Sequence, residues 1–355
     1  ANQAVAGEFS ARAFDNDKLD LVQAEAIADA IDATSVAAAK SAMRSLTGEF
    51  SQKINTLLEQ LIQLRLYVEA AIDFPDEEGV DFLADEHIAK QLRQVCEQLN
   101  TVLATAKQGQ LLRDGVSVVI AGRPNAGKSS LLNRLAGQER AIVTDIAGTT
   151  RDILQETIVL NGLTLNLTDT AGLRHTDDIV EQAGIERARQ AITQADLLLM
   201  VYDAHREHEP LRLATELFGS LPNANSILMI ANKIDLSDNH QNLPKQFSSQ
   251  EQIYHPVYVS CKYGTGLEEL VNQICDKVGF HPPENSLIAR TRHLDALRRT
   301  QMALQEADEQ LHLFHAGELV AESLRQAQLS LNEITGEFTA DDLLGKIFGS
   351  FCIGK

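Results

Sequence analysis

Apolar residues recur at three- and four-residue steps through the first part of the chain. Leu19, Val22, Ala26 and Ile27 begin one stripe, and Ile54, Leu57, Leu58, Leu61, Ile62 and Val68 carry another. Residues from about 17 to 72 therefore read as helix, with no Pro inside either run. Phe74-Pro75-Asp76-Glu77-Glu78-Gly79 ends the pattern with a breaker and a turn former, and helical texture resumes from Ile88 to Leu112. At Val116 the pattern changes. Val116-Ser117-Val118-Val119-Ile120 is a short β-branched run, followed by glycines and then by Leu131, Leu132 and Leu135 at helical spacing. Further strand segments are Leu163 to Leu167, Leu197 to Tyr202, Ser226 to Ile230 and Val257 to Val259, separated by helical stretches such as Gly184 to Ile192. Asn161-Gly162 between two apolar runs is a hairpin signal, which makes Ile153 to Leu160 an antiparallel edge strand. After His281-Pro282-Pro283 the chain returns to helix with Leu294, Leu297, Ala303, Leu304, Leu311 and Leu319 to Leu331, closing on a short helix from about Ala340 to Phe351.

Strands alternating with helices predict a mostly parallel sheet covered by helices. Because helical segments flank it, the economical architecture is one all-α bundle, built from 17–113 and 283–355, with an α/β domain, 114–282, inserted into it. The length of 355 residues is ample for such domains, each with its own core. No apolar run approaches the roughly 20 residues of a membrane helix, in keeping with a mean hydropathy of -0.14. Residue 1 is Ala, with no basic-then-apolar leader, so the start is expected to be processed or, by preference, cut from a longer chain.

The formal charge is -19. It is spread along the chain as -8 over 1–113, -7 over 114–282 and -4 over 283–355. Nonspecific nucleic-acid binding rests on clustered Lys and Arg, and none of the three segments has a basic surplus, so any RNA contact must be local or borrowed from a partner. The cysteines, Cys96, Cys261, Cys275 and Cys352, show no CxxC spacing, which fits a reducing cytoplasm without a zinc site.

Gly122-Arg123-Pro124-Asn125-Ala126-Gly127-Lys128-Ser129 matches G-x-x-x-x-G-K-S and lies between a predicted strand and a predicted helix. Its glycines let backbone N–H groups wrap phosphates, Lys128 brings a point charge to the outer phosphates, and the Ser129 hydroxyl suits Mg²⁺; Ala126 and Ser130 complete the cradle. Asp169-Thr170-Ala171-Gly172 follows the third strand, putting a carboxylate near Mg²⁺ and the Gly172 N–H near the terminal phosphate. Asn232-Lys233-Ile234-Asp235 follows another strand, and the Asp235 carboxylate can accept the ring N–H and the exocyclic amino group of guanine, neither of which adenine offers in that arrangement. Ser260-Cys261-Lys262 resembles the loop that closes over the base. Singly each is weak; in this order, each after a strand, they predict a guanine-nucleotide domain, and it resembles the translation-factor-related branch of P-loop GTPases. Gly148-Thr149-Thr150-Arg151-Asp152 falls where the first switch loop belongs, with a hydroxyl for Mg²⁺. Where Ras-like proteins carry a Gln after Asp-x-x-Gly to orient water, this chain has Leu173, which has no donor or acceptor. A nearby carboxylate is expected to take that role, and Asp177, Asp178, Glu181 and Glu186 are the local candidates, which spacing does not separate. The terminal Phe351-Cys352-Ile353-Gly354-Lys355 sets a cysteine at the prenylation position, but Gly354 and Lys355 do not fit that signal, and a functional thiol is the preferred reading.

These motifs, with Gly7-Glu8-Phe9, Lys18-Leu19-Asp20-Leu21, Gln23-Ala24-Glu25-Ala26, Ile334-Thr335-Gly336-Glu337 and the Phe-Cys-Ile-Gly-Lys tail, resemble the MnmE (TrmE) family of tRNA modification GTPases over essentially the whole chain. The resemblance implies a Ras-like G domain inserted in the helical bundle. It also implies that residues 1–16 are the remnant of an N-terminal folate-binding and dimerising domain that handles a one-carbon donor. By the same resemblance the protein works with MnmG, a flavin (FAD)-dependent partner, to add an aminomethyl-type group to the wobble uridine of certain tRNAs. A K⁺ ion held by Asn125, Thr144, Ile146 and Thr149, with transient G-domain dimerisation, would replace the missing glutamine and an arginine finger. Ser129 and Thr150 would ligate Mg²⁺, Glu181 would orient water, and Cys352 would serve the modification and not GTP hydrolysis. A ribosome-assembly GTPase is the runner-up, disfavoured by the lack of a GXXG loop in a strand-helix context and of a basic face. A membrane-remodelling, dynamin-like GTPase is disfavoured by the even acidity.

Overall fold

The computed structural model describes residues 3–73, 86–137, 155–169, 191–236, 243–249, 251–282, 286–314 and 316–336. Its contacts divide the chain into two units, Ala1–Arg113 with Pro282–Lys355, and Asp114–His281.

The first unit is helical. Its helices are α1 (Glu8–Asp15), α2 (Leu21–Ile31), α3 (Val36–Leu46), α4 (Glu49–Asp73) and α5 (Glu86–Asp114), joined after the second unit by α9 (Thr291–Glu309) and α10 (Gly317–Thr335). The helical stretch expected over 17 to 72, with its two apolar runs, is divided into α2, α3 and α4 by caps. Asp20 accepts from the Gln23 amide at 2.8 Å while Gln23 Oε1 accepts from the Asp20 amide at 3.0 Å, a capping box that starts α2. Ser35 Oγ accepts from the Ala38 amide at 3.1 Å and starts α3, and Gly48 turns the chain into α4 with φ 89°. Hydrophobic period alone misses these breaks because a cap redirects the backbone without shifting which residues are apolar. Along α4, Phe50, Ile54, Leu57, Leu61, Leu64 and Val68 share one buried face. They pack with Ile88, Leu92, Val95 and Leu99 of α5 and with Leu294, Leu297, Leu304, Leu324 and Leu331 of α9 and α10. Residues from both ends of the chain thus fill one core. Gly109, inside α5, is required by close approach: a Cβ there would lie 1.7 Å from the carbonyl oxygen of Leu287. That offsets the roughly 1 kcal/mol a helical Gly costs relative to Ala.

A buried ionic cluster sits in the same unit. Glu25, 1% exposed, receives both arms of Arg292 at 2.8 Å and faces His293 Nε2 at 3.0 Å. Asp29 receives Arg290 Nη2 and Arg113 Nε, each at 2.8 Å. Arg292 also donates to the carbonyls of Glu333 and Ile334 at 2.9 and 3.0 Å, satisfying the end of α10. Burial alone would raise the Glu25 carboxyl, but hydrogen bonds from His293 and Arg292 outweigh it and hold Glu25 well below the carboxylate range. Burial, reinforced by the Arg292 charge, pushes His293 down, so the imidazole is neutral at pH 7.

The second unit is a six-stranded sheet in the order β2-β3-β1-β4-β5-β8, with a separate hairpin of β6 and β7. Its strands are β1 (Val116–Ala121), β2 (Gln155–Leu160), β3 (Leu163–Asp169), β4 (Leu197–Asp203), β5 (Ile227–Asn232), β6 (Phe247–Ser249), β7 (Gln252–Tyr254) and β8 (Pro256–Tyr258). All sheet neighbours are parallel except β2, the antiparallel edge strand. Leu160 pairs with Leu163 across Asn161 and Gly162, whose φ values of 51° and 85° make the two-residue turn predicted for that dipeptide. Leu197 to Tyr202 of β4 and all of β5 are buried on both faces, as central parallel strands must be. Helices α6 (Lys128–Ala136), α7 (Pro210–Phe218) and α8 (Leu267–Val278) supply crossover or closing segments. The β6–β7 hairpin has three-residue strands, too short to print a period on the sequence. The helices expected near Gly184 to Ile192 and Ala340 to Phe351 lie largely or wholly outside the described residues.

The fold is thus an α/β P-loop domain with a mostly parallel sheet, inserted into an all-α domain.

Candidate nucleotide site

Parallel strands put all their carboxyl ends on one edge, and the neighbours of β1 are β3 on one side and β4 on the other. That edge, where the chain switches direction across the sheet, is where open α/β sheets leave a crevice. The described parts of the nucleotide motifs, Gly122–Ser129, Asp169, Asn232–Asp235 and Ser260–Lys262, end or follow strands on this edge.

The loop from Gly122 to Gly127 leaves β1 and enters α6. A Cβ at Gly122 would lie 2.1 Å from the carbonyl oxygen of Val201 on β4, so only glycine lets the loop pass that strand. Asn125 takes φ 63° and Gly127 φ 101°, bending the loop back on itself, and the Ala126 amide donates to the Arg123 carbonyl at 3.2 Å. Gly127 is the N-cap of α6 and brings no capping side chain, so the first-turn amides of Lys128, Ser129 and Ser130 form an N-terminus suited to an anion. Lys128 Nζ turns back and donates to the carbonyls of Gly122 at 2.8 Å and Arg123 at 3.2 Å, which keeps its charge at the mouth of the loop. A cavity of about 220 Å³ opens beside the loop, lined by Arg123 to Ala126 together with Tyr202, Asp203 and residues of the following turn.

Asn232, the last residue of β5 and 2% exposed, joins two loops. Its Nδ2 donates to the Ala126 carbonyl at 2.9 Å, and its Oδ1 accepts from the Cys261 amide at 3.2 Å. One buried amide thereby fixes the phosphate loop and the loop after β8 against each other. Asp235 lies in the short 3-10 turn Ile234–Leu236, and its Oδ1 accepts from Ser260 Oγ at 2.6 Å, which orients the carboxylate. Ser260 itself is 1% exposed, and its amide and carbonyl close the turn with Thr265 and Gly264. The Cys261 thiol is pushed up by burial, the state of a packing group and not of a nucleophile. Lys262 lies with Nζ 4.8 Å from the centre of the Tyr263 ring.

Two participants escaped the reading of the sequence. Asp203 ends β4, paired in register with Asn232, and its Oδ2 receives Lys233 Nζ at 2.8 Å while Oδ1 accepts from the His205 amide at 3.0 Å. Burial would raise the Asp203 carboxyl, but the bonds from Lys233 and His205 outweigh it and hold it below the usual range. Lys233, at φ 66°, is thus anchored at both backbone and head group. The signal for Asp203 was present, since it follows an apolar strand just as the recognised motifs do. The other is Arg134, on the exposed side of α6, which donates to the carbonyls of Cys261 and Lys262. Nothing in the sequence marks an exposed helical arginine as part of a site.

Asp169 ends β3, opposite Ile120 of β1. Thr144, Ile146, Thr149, Thr150, Gly172, Leu173, Asp177, Asp178, Glu181, Glu186 and Cys352 lie outside the described residues.

Known proteins resemble this chain closely. The family model of the MnmE helical domain matches residues 21–352. The tRNA modification GTPase MnmE of Psychrobacter arcticus is 73% identical over 100% of this chain and 76% of that protein. The protein of the same name from Acinetobacter baylyi is 62% identical over 100% of this chain and 76% of its own length. That from Coxiella burnetii is 53% identical over 100% of this chain and 77% of its own. A mostly parallel sheet whose Gly122–Gly127 loop and loop after β8 are held together by one buried asparagine, in a chain that matches this family model over residues 21–352, leaves a single assignment: the chain belongs to the MnmE family of tRNA modification GTPases.

Proposed function

We propose that this chain binds GTP at the carboxyl edge of its sheet, hydrolyses it, and couples the hydrolysis to modification of the wobble uridine of certain tRNAs. The observation that carries the nucleotide reading is the position of Asn232, which holds the phosphate loop and the base loop in one piece. In this reading the first-turn amides of α6 and Lys128 hold phosphates, Asp235 reads the guanine ring N–H and amino group, and the Ser260 hydroxyl fixes the carboxylate that does so. Selectivity follows from cost: a base without those donors would leave a carboxylate oxygen unpaired.

The donor set fits the expected cations. Ser129, exposed in the first turn of α6, with Thr150, offers hydroxyls for Mg²⁺, which would neutralise charge on the outer phosphates. Asn125 presents an amide from a left-handed turn of the phosphate loop, and with Thr144, Ile146 and Thr149 it would hold K⁺, a weakly hydrated charge in the place of an arginine finger. Glu181 would orient the attacking water, since Leu173 has no polar atom to do so. Cys352 would serve the uridine chemistry with MnmG, the FAD-dependent partner, and a folate one-carbon unit would be supplied by an N-terminal domain that also dimerises the protein. The proposed setting is the cytoplasm. The acidic charge of -19 assigns the grip on tRNA phosphates mainly to the partner.

The test is GTP turnover and G-domain dimer formation, measured together in potassium and in sodium with a transition-state analogue. Turnover should rise strongly in potassium, and Glu181→Ala should remove about a hundredfold or more of it while nucleotide binding persists. Equal turnover in both salts would sink the cation mechanism.

A further inference from the structure

Arg134 lies six residues beyond Lys128 on α6, about 9 Å along the helix axis. Its Nε donates to the Cys261 carbonyl at 2.8 Å and its Nη2 to the Lys262 carbonyl at 2.7 Å. A guanidinium presents parallel N–H groups in a rigid fork, and two successive carbonyls of one turn match that spacing, whereas an ammonium on a flexible stem does not. The same loop is also held by Asn232, through the Cys261 amide at 3.2 Å, and by Asp235, through Ser260 Oγ at 2.6 Å. Among the described residues, Arg134 is the contact that ties this loop to the phosphate-binding helix by a side chain of that helix.

We propose that Arg134 is a positioning residue for base selection. By clamping the carbonyls of Cys261 and Lys262 to α6, it fixes the plane of the intervening peptide and with it the Lys262 N–H, a donor that a 6-oxo group of a purine can accept from. The clamp also sets the distance between the phosphate subsite and the base subsite, because the helix that carries Lys128 and Ser129 carries Arg134 as well. This proposal rests on the reading of the site as a guanine-nucleotide site.

The experiment is competition of GDP and of 6-thio-GDP against a fluorescent GDP on the full chain, for wild type, Arg134→Ala and Arg134→Lys. The thio analogue keeps the ring N–H and the amino group and replaces only the 6-oxygen with a weak acceptor. Loss of the clamp should weaken GDP by about five- to tenfold, a modest factor because the guanidinium is solvent-facing. It should weaken 6-thio-GDP much less, so the preference for GDP shrinks. Arg134→Lys should fall between the two, and at saturating GTP the kcat should hold while KM rises. If Arg134→Ala binds GDP like wild type, or weakens both nucleotides by the same factor, Arg134 plays no part in selection. A wild-type chain that binds no GDP would remove the guanine reading itself, and the proposal with it.

Discussion

Replacing Glu25 with Gln tests whether the buried ionic cluster holds the helical unit together. Glu25 is 1% exposed and takes three hydrogen bonds from charged or ring donors, two from Arg292 at 2.8 Å and one from His293 at 3.0 Å. A glutamine of the same shape keeps one acceptor oxygen and turns an NH₂ toward a guanidinium or imidazole, so Arg292 is left as a partly buried charge without its counter-ion. Breaking a buried pair in this way costs about 3–5 kcal/mol, a large part of the about 5–15 kcal/mol that separates folded from unfolded domains. The assay is urea denaturation followed by helix ellipticity, with midpoints compared at unchanged slope. The pH dependence adds a sign. Because the folded Glu25 carboxyl lies below its ordinary range, its contribution is complete above the unfolded pKa of about 4.3 and is lost as pH falls below it. His293, also lowered, acts in the same direction: below about pH 6.5 the unfolded chain takes a proton that the buried ring refuses. Wild type should therefore lose stability steadily on acidification, and Glu25→Gln should show a flatter curve below about pH 5. A midpoint within about 0.5 kcal/mol of wild type, with parallel pH curves, would refute the reasoning.

Three other outcomes are expected. Gly127→Ala places a Cβ 2.1 Å from Asn232 Nδ2 on a residue with φ 101°, so either the Asn232 bond to Ala126 or the loop must give way. GDP affinity by equilibrium titration should fall about a hundredfold or more with helix content unchanged. Asp203→Asn replaces an ion pair to Lys233 by a neutral bond, and nucleotide affinity should drop about three- to tenfold at constant kcat; a double variant with Lys233→Met that loses the same factor again would show that Asp203 does not act through Lys233. Cys352→Ser should leave GTP turnover intact and abolish tRNA modification in a reconstituted assay, whereas loss of both would return the thiol to a packing role.

Much of the fold is legible in the chain because periodicity is local. The three- and four-residue steps of Ile54, Leu57, Leu61 and Val68 mark one helix face, and the β-branched run at Val116 marks a central strand. Asn161-Gly162 forces its hairpin through backbone preference alone. Caps are less visible: Asp20 and Ser35 split the predicted helix through hydrogen bonds that polarity patterns do not encode. The three-residue strands β6 and β7 are too short for any period.

At the candidate site the division is sharper. Residue types and their order along the chain were enough to mark a P-loop motif and to nominate a carboxylate for guanine and a cysteine in the tail, since each chemistry demands particular atoms at particular spacings. What the sequence could not hold is which of these touch. Asn232 reaches Ala126 across 106 positions, Arg134 reaches Cys261 across 127, and Arg292 reaches Glu25 across 267. Those pairings exist because β1, β4 and β5 lie side by side in parallel and because the two ends of the chain share a helical core. Strand order and helix packing are properties of the whole chain's burial, so only the tertiary structure decided which polar groups would meet.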